Sequence, residues 1–143
     1  MKSKTATFAL GCFWQPEDCF RKMPGVTATT VGYSGGTTEN PNYENLGDHT
    51  ETVQIEFDPS FVSYKKLLDK FWQLHDPSVK QTKQYSSFIF TNSEDQAEEA
   101  KLSAEAYAKV SGKTLLTKIL KTEKFYRAEE YHQKYLEKAR GAT

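Results

Sequence analysis

The sequence predicts an α/β domain of the α+β kind, one unit over residues 1–143 with helices packed on a mixed sheet. Three observations predict it. Segments with strand-like patterning and segments of helical period interleave along the whole chain. No internal repeat, low-complexity run or Pro/Gly/Ser-rich linker divides it. A chain of 143 residues is also long enough to bury a core without metals or disulfides. The pattern does not decide the order of the strands.

Taken in order, residues 5–10 read as a short strand ended by Gly11. A helix over 13–22 carries Phe13, Trp14, Glu17 and Phe20, with Pro16 in its first turn, where a missing N–H costs little. Pro24-Gly25 ends it. Residues 26–33 are rich in Thr and Val and strand-like, and Ser34-Gly35-Gly36 forces a turn, which also accounts for these glycines. Residues 40–47 form a polar loop with at most one helical turn.

Residues 51–57 set Val53, Ile55 and Phe57 against Thr52, Gln54 and Glu56, the pattern of a half-buried strand closed by Asp58-Pro59. Ser63 caps a helix bearing Leu67, Leu68, Phe71 and Trp72. A strand is expected over 85–90 and a long helix over 93–111, capped by Ser93 and stopped by Gly112. The charge-rich stretch 94–109 reads as its solvated face. A strand over 115–120 and a helix over 128–139 complete the chain.

Bulk chemistry narrows the function. Nineteen basic and nineteen acidic side chains cancel, so the basic excess of a nucleic-acid binder is absent. No apolar run is long enough to cross a membrane. Met1-Lys2-Ser3-Lys4 leads into an apolar piece too short for a signal peptide, so the expected location is the cytoplasm. Only Cys12 and Cys19 are present, which is no disulfide framework for a secreted mini-domain. His49 and His132 make no familiar metal spacing with them, and a packing or hydrogen-bonding role is expected for His132 in the last helix. Gly32, Gly35 and Gly36 do not follow the dinucleotide fingerprint, and a turn is expected to explain all three.

The chemistry concentrates at Gly11-Cys12-Phe13-Trp14, where a strand hands over to a helix. Free N–H groups and partial positive charge at a helix N-terminus favour a thiolate, the attacking form of cysteine. Aromatic side chains directly after it suggest an apolar pocket. On spacing alone, a buried structural cysteine beside two core aromatics remains the commoner alternative.

Six ordered blocks turn this into a resemblance. Gly11-Cys12-Phe13-Trp14 with Glu17 is followed by Val31-Gly32-Tyr33-Ser34-Gly35-Gly36 and Asn40-Pro41-Asn42-Tyr43. Then come Gly47-Asp48-His49-Thr50-Glu51 with Phe57-Asp58-Pro59, Phe71-Trp72 with His75-Asp76-Pro77, Gln84-Tyr85-Ser86-Ser87, and Phe125-Tyr126 through Tyr131-His132-Gln133-Lys134-Tyr135-Leu136. Together they resemble the A-type methionine sulfoxide reductases from about Thr5 to Lys138.

The resemblance implies a ferredoxin-like-related fold and reduction of the S epimer of methionine sulfoxide, free or in peptides, in protein repair after oxidation. It implies Cys12 as the nucleophile, left as a sulfenic acid when methionine departs. Glu51 is then the acid, which needs a desolvated pocket to raise its pKa. On chemistry alone a solvated glutamate at a strand start is the commoner reading of Glu51, which the motif match outweighs. Tyr43 and Tyr85 match hydroxyls that donate to the sulfoxide oxygen, and Phe13 and Trp14 match residues that hold the methyl group. No cofactor or metal is implied; an external thiol, thioredoxin or glutaredoxin with glutathione, restores Cys12. A monomer is expected.

The chain departs from the family pattern at two places. Only Ser78-Val79-Lys80-Gln81-Thr82-Lys83 joins Pro77 to Gln84, so the loop aspartate common in the family has no counterpart, and Lys80 stands near its offset. Gln15 replaces a common glycine. Cys19 matches no resolving position and reads as a core residue, and no cysteine follows it. These departures leave two other functions to weigh: a sulfoxide-binding module without turnover, and a one-cysteine redox sensor or peroxidase.

Overall fold

The computed structural model describes residues 4–122 and 124–141; residues 1–3 and 142–143, read above for a leader and a tail, lie outside them. Six strands form one sheet: β1 (Lys4–Leu10), β2 (Val26–Ser34), β3 (Thr50–Phe57), β4 (Ser87–Thr91), β5 (Lys118–Lys121) and β6 (Phe125–Arg127). Four helices accompany them: α1 (Trp14–Arg21), α2 (Tyr64–Gln73), α3 (Glu94–Ser111) and α4 (Tyr135–Gly141). The sheet order is β5-β4-β1-β3-β2-β6. All neighbours are antiparallel except β4 and β5, so the sheet is mixed. The first four strands with α1 and α2 run β-α-β-β-α-β in the order β4-β1-β3-β2, the ferredoxin-like arrangement.

The core lies on the face where Phe8 of β1 meets Phe20 of α1 at 5.7 Å and Phe71 of α2 at 5.0 Å between ring centres. Val53, Ile55 and Phe57 join this layer, as their alternation requires. Ala9, Phe88 and Phe90 make a smaller cluster. Ser63 and Ser93 accept the N–H of Lys66 and Gln96, so both expected caps form. Gly112, at φ 70°, ends α3 in the left-handed conformation.

Four expectations need correction. Tyr85 lies in a 3₁₀ turn, Lys83–Tyr85, and β4 begins only at Ser87. The strand expected from residue 115 starts at Lys118. The three-residue strand β6 was not legible, being too short to show a period. The last helix does not begin at residue 128: Glu130–His132 is a 3₁₀ turn and α4 starts at Tyr135.

Tertiary hydrogen bonds explain that break. Gln133 Oε1 accepts the Val31 N–H at 2.9 Å, and its Nε2 donates to the Val31 and Ala128 carbonyls. Lys134 takes φ 51° and donates its N–H to Glu17 Oε1 at 2.6 Å, while Glu17 Oε2 accepts from the Thr29 hydroxyl. The segment before α4 is thereby strapped to β2 and α1. Gly32 also reads differently: it sits within β2 opposite Arg127, and a Cβ there would strike the Tyr126 carbonyl and the Phe125 ring of β6.

Antiparallel pairing gathers the motif segments. The ends of β1 and β2 and the starts of β3 and β4 all fall at one end of the sheet. Cys12, Ser34, Glu51 and Tyr85 lie on or next to those termini.

Candidate active site

The N-terminus of α1 organises this end. Helix α1 begins at Trp14, with Phe13 as its N-cap residue, so the amides of Phe13 and Trp14 have no partner within the helix. The Phe13 N–H donates to Glu51 Oε1 at 3.2 Å, and the Trp14 N–H is hydrogen-bonded to the sulfur of Cys12. Consecutive amides thus hold the carboxyl and the thiol side by side. Cys12 is exposed on its outer side. Glu51 is 1% exposed, because it stands in the register of Val53 and Ile55 and faces the core.

Burial dominates the electrostatics of the pair. Burial pushes the Glu51 carboxyl above its ordinary range, against the opposing pull of Gln84 and of the Phe13 N–H. Partial burial of the sulfur also pushes the Cys12 thiol up; the Trp14 N–H lowers it, and the charge of Glu51 raises it again. The helix N-terminus therefore does not by itself yield a thiolate. Desolvation outweighs it at the sulfur, whereas the expected rise at Glu51 is present.

Oxygen-facing donors complete one wall. Gln84 Nε2 donates to Glu51 Oε2 at 2.7 Å and to the Tyr85 hydroxyl at 3.1 Å. Tyr85 is hydrogen-bonded to Tyr43, and its phenol is pushed up to about 12, chiefly by burial. Tyr43 is carried by an irregular loop that Glu129 ties to the body. Oε2 of Glu129 accepts the Tyr43 N–H at 2.9 Å, and Oε1 accepts the Tyr33 hydroxyl at 2.7 Å. These two donors keep the Glu129 carboxyl below its usual range despite partial burial.

An aromatic wall stands opposite. Phe13 is buried against Tyr33, and Trp14 stacks on Tyr135 at 3.7 Å between ring centres. His132 sits among Phe13, Trp14 and Tyr43. Its Nδ1 accepts the Trp14 indole N–H at 3.0 Å, and burial lowers its pKa, so the imidazole is neutral with its hydrogen on Nε2.

All six residues singled out from the sequence, Cys12, Phe13, Trp14, Tyr43, Glu51 and Tyr85, converge here. Sequence reasoning gave no role to Gln84, Glu129 or Tyr33. One signal was available for the acid: Glu51 continues the apolar register of β3, where a glutamate must be buried.

On the open side of Cys12 lies a cleft of about 350 Å³ bounded by Gly11, His75, Val79, Gln81 and Tyr85. The short 78–83 connection forms its rim, and Lys80 does not line it. His49 is a loop staple that accepts the Gly36 N–H and bonds the Thr38 carbonyl. Among the described residues no group of three His, Cys, Asp or Glu could hold a metal, and no helix is long and apolar enough to cross a membrane.

A solvent-open thiol, a buried acid and converging hydroxyls define a cysteine enzyme able to attack a soft, electrophilic atom and protonate the group bonded to it. Comparison with known proteins specifies which. The family model "Peptide methionine sulfoxide reductase" matches residues 4–143. The chain is 48% identical to "Peptide methionine sulfoxide reductase MsrA" of Methanosarcina acetivorans, over 93% of this chain and 77% of that one. Reduced Mxr1 from Saccharomyces cerevisiae superposes with a TM-score of 0.90 at 30% identity, over 96% of this chain and 86% of that one. Mxr1 in complex with Trx2 matches at a TM-score of 0.71 and 27% identity, covering 94% and 85%. The chain belongs to the peptide methionine sulfoxide reductases, of the A type. It is a thiol-dependent enzyme that reduces methionine sulfoxide and so repairs oxidised protein.

Proposed function

We propose that Cys12 attacks the sulfur of the S epimer of methionine sulfoxide while Glu51 delivers a proton to its oxygen. Tyr43 and Tyr85 donate to the same oxygen, and Phe13 and Trp14 pack the methyl group. The observation that carries this reading is the pair of amides that sets Cys12 beside Glu51. A carboxyl whose pKa is raised by burial is a proton donor, and while it carries the proton it does not oppose ionisation of Cys12. The thiol and the sulfoxide become methionine and a Cys12 sulfenic acid, which balances without any other reagent.

The reductant is then an outside thiol. Both cysteines are free. Cys19 lies five residues into α1 from Trp14, a rise of roughly 7–8 Å before the turn to Cys12 is added, whereas disulfide Cα atoms stand about 4.4–6.8 Å apart. The Trx2 complex of the yeast relative supports thioredoxin as donor. Glutathione with glutaredoxin is the alternative, acting in the cytoplasm on a monomer.

The test is a single turnover without reductant. One methionine per chain, with dimedone capture at Cys12 and no Cys12–Cys19 bridge by mass spectrometry, supports the reading. Selective loss of the R epimer, or no methionine at all, would overturn it.

A further inference from the structure

Gln84 is the side chain that touches both the acid and a phenol of the oxygen pocket, and the amide is half-buried between them. A primary amide nitrogen has two hydrogens. Here one points at Glu51 Oε2 at 2.7 Å and the other at the Tyr85 oxygen at 3.1 Å. With its oxygen accepting from Gln84, Tyr85 has its own hydrogen turned away from that amide, and Tyr43 is the phenol beside it. The turn that bears Gln84 is itself fixed. The Thr50 hydroxyl donates to the Lys83 carbonyl at 2.8 Å, and Lys83 Nζ donates to the Asp48 carbonyl at 2.9 Å.

We propose that Gln84 is the positioning residue of the oxygen pocket, holding the Glu51 carboxylate that remains after proton transfer and setting the direction in which the Tyr85 hydroxyl donates. The proposal rests on the reductase reading and adds a residue to it. Its physical content is differential: a hydrogen bond to a carboxylate is stronger than one to a neutral carboxyl, so the bond tightens as the proton leaves. The second hydrogen forbids Tyr85 from pointing back into the protein. Titratable groups facing Glu51 are Cys12 from the β1–α1 turn, Tyr33 from β2 and Tyr85 from the 3₁₀ turn. Gln84 is an uncharged donor among them, and removing it changes no net charge in the site.

The experiment compares the wild type with Gln84→Leu, and with Gln84→Met in case the branched side chain disturbs the turn. Three readings are taken: single-turnover methionine release, steady-state kcat and KM with dithiothreitol, and the pH titration of the Glu51 carboxyl. The titration uses ¹³C-glutamate NMR, assigned with Glu51→Gln. The expected result is a fall of about 10- to 100-fold in the single-turnover rate, the scale of one hydrogen bond to a charged group. It should appear in kcat rather than KM, and Glu51 should titrate at higher pH than in the wild type. In a Tyr85→Phe background the same substitution should cost less, because half of its task is already gone.

A rate within twofold of the wild type and an unmoved Glu51 titration in both variants would overturn the proposal. A slower rate with an unmoved titration and full additivity with Tyr85→Phe would also overturn it, since that is the signature of a merely structural residue. Failure of the wild type itself to release methionine would instead sink the reductase reading.

Discussion

The two sides of the pocket are built in different ways. Cys12, Phe13 and Glu51 sit at the ends of the central strands β1 and β3 and on the helix that follows β1, held by ladder pairing and by backbone amides. Tyr43, Tyr85 and His132 ride on segments with no ladder of their own, fixed instead by side-chain hydrogen bonds from distant parts of the chain. The difference separates tasks. Bond making tolerates little displacement, so nucleophile and acid belong on the rigid part. Hydroxyl donors must meet a substrate oxygen that arrives and leaves, which suits segments held by side chains rather than by a strand ladder.

The largest test of this contrast is Cys12→Ser. A serine hydroxyl does not ionise near neutral pH and is a harder nucleophile, so turnover with dithiothreitol should vanish while the far-UV circular dichroism spectrum is kept. Substantial methionine release by this variant would mean that the rigid side does not carry the chemistry.

Glu51→Gln comes next, with a loss of about 10²–10⁴-fold in the rate of sulfenic acid formation and little change in substrate binding. Stability should move the other way. Burial raises the folded-state pKa of Glu51 above the unfolded value of about 4.3, so the folded chain holds this proton more tightly. Stability is therefore lost as pH rises from about 4.3 through the folded pKa. The amide carries no such loss, so the variant should melt higher than the wild type at neutral pH and converge with it below about pH 4. Equal melting temperatures at pH 7 would show that burial does not raise the Glu51 pKa in the folded chain.

On the strapped side, Tyr43→Phe and Tyr85→Phe should each lower kcat only modestly, and the double variant more than either. The two hydroxyls are hydrogen-bonded to each other and can cover for one another at a single oxygen. If neither single nor double substitution alters the rate, the oxygen pocket is misplaced. The smallest effect is expected for Lys80→Ala. Lys80 is exposed and does not line the cleft beside Cys12, so the rate with a small sulfoxide should stay within about twofold. A large loss would show that the lysine swings into the cleft when substrate binds.

The legibility of the molecule in its sequence follows the same division. Caps at Ser63 and Ser93, the glycine stop at Gly112 and the alternation of β3 are local signals, and each element formed where it was expected. Residues 128–134 were misread as helix because their conformation is set by Gln133 and Glu17 reaching across to β2 and to Lys134. Local propensity cannot register a bond to a partner 102 residues away. Tyr85 was misread for the same reason: the 3₁₀ turn is pinned to Thr50 and Asp48 from outside.

By itself, then, the sequence determined the strand-to-helix handover that presents Cys12, the alternation that puts Glu51 in line with Val53 and Ile55, and the ordered motifs that name the family. Only the tertiary structure decided what stands around them. Trp14 meets its histidine 118 positions away, Glu51 its glutamine 33 away, and Tyr43 its clamp 86 away. Contacts at such separations leave no periodic trace along the chain, because they exist only once antiparallel pairing has brought four strand termini to one end of the sheet. The electrostatics of the site were decided there too. A helix N-terminus read from sequence favours the thiolate, but the burial that outweighs it at Cys12, and that raises the Glu51 pKa, comes from packing.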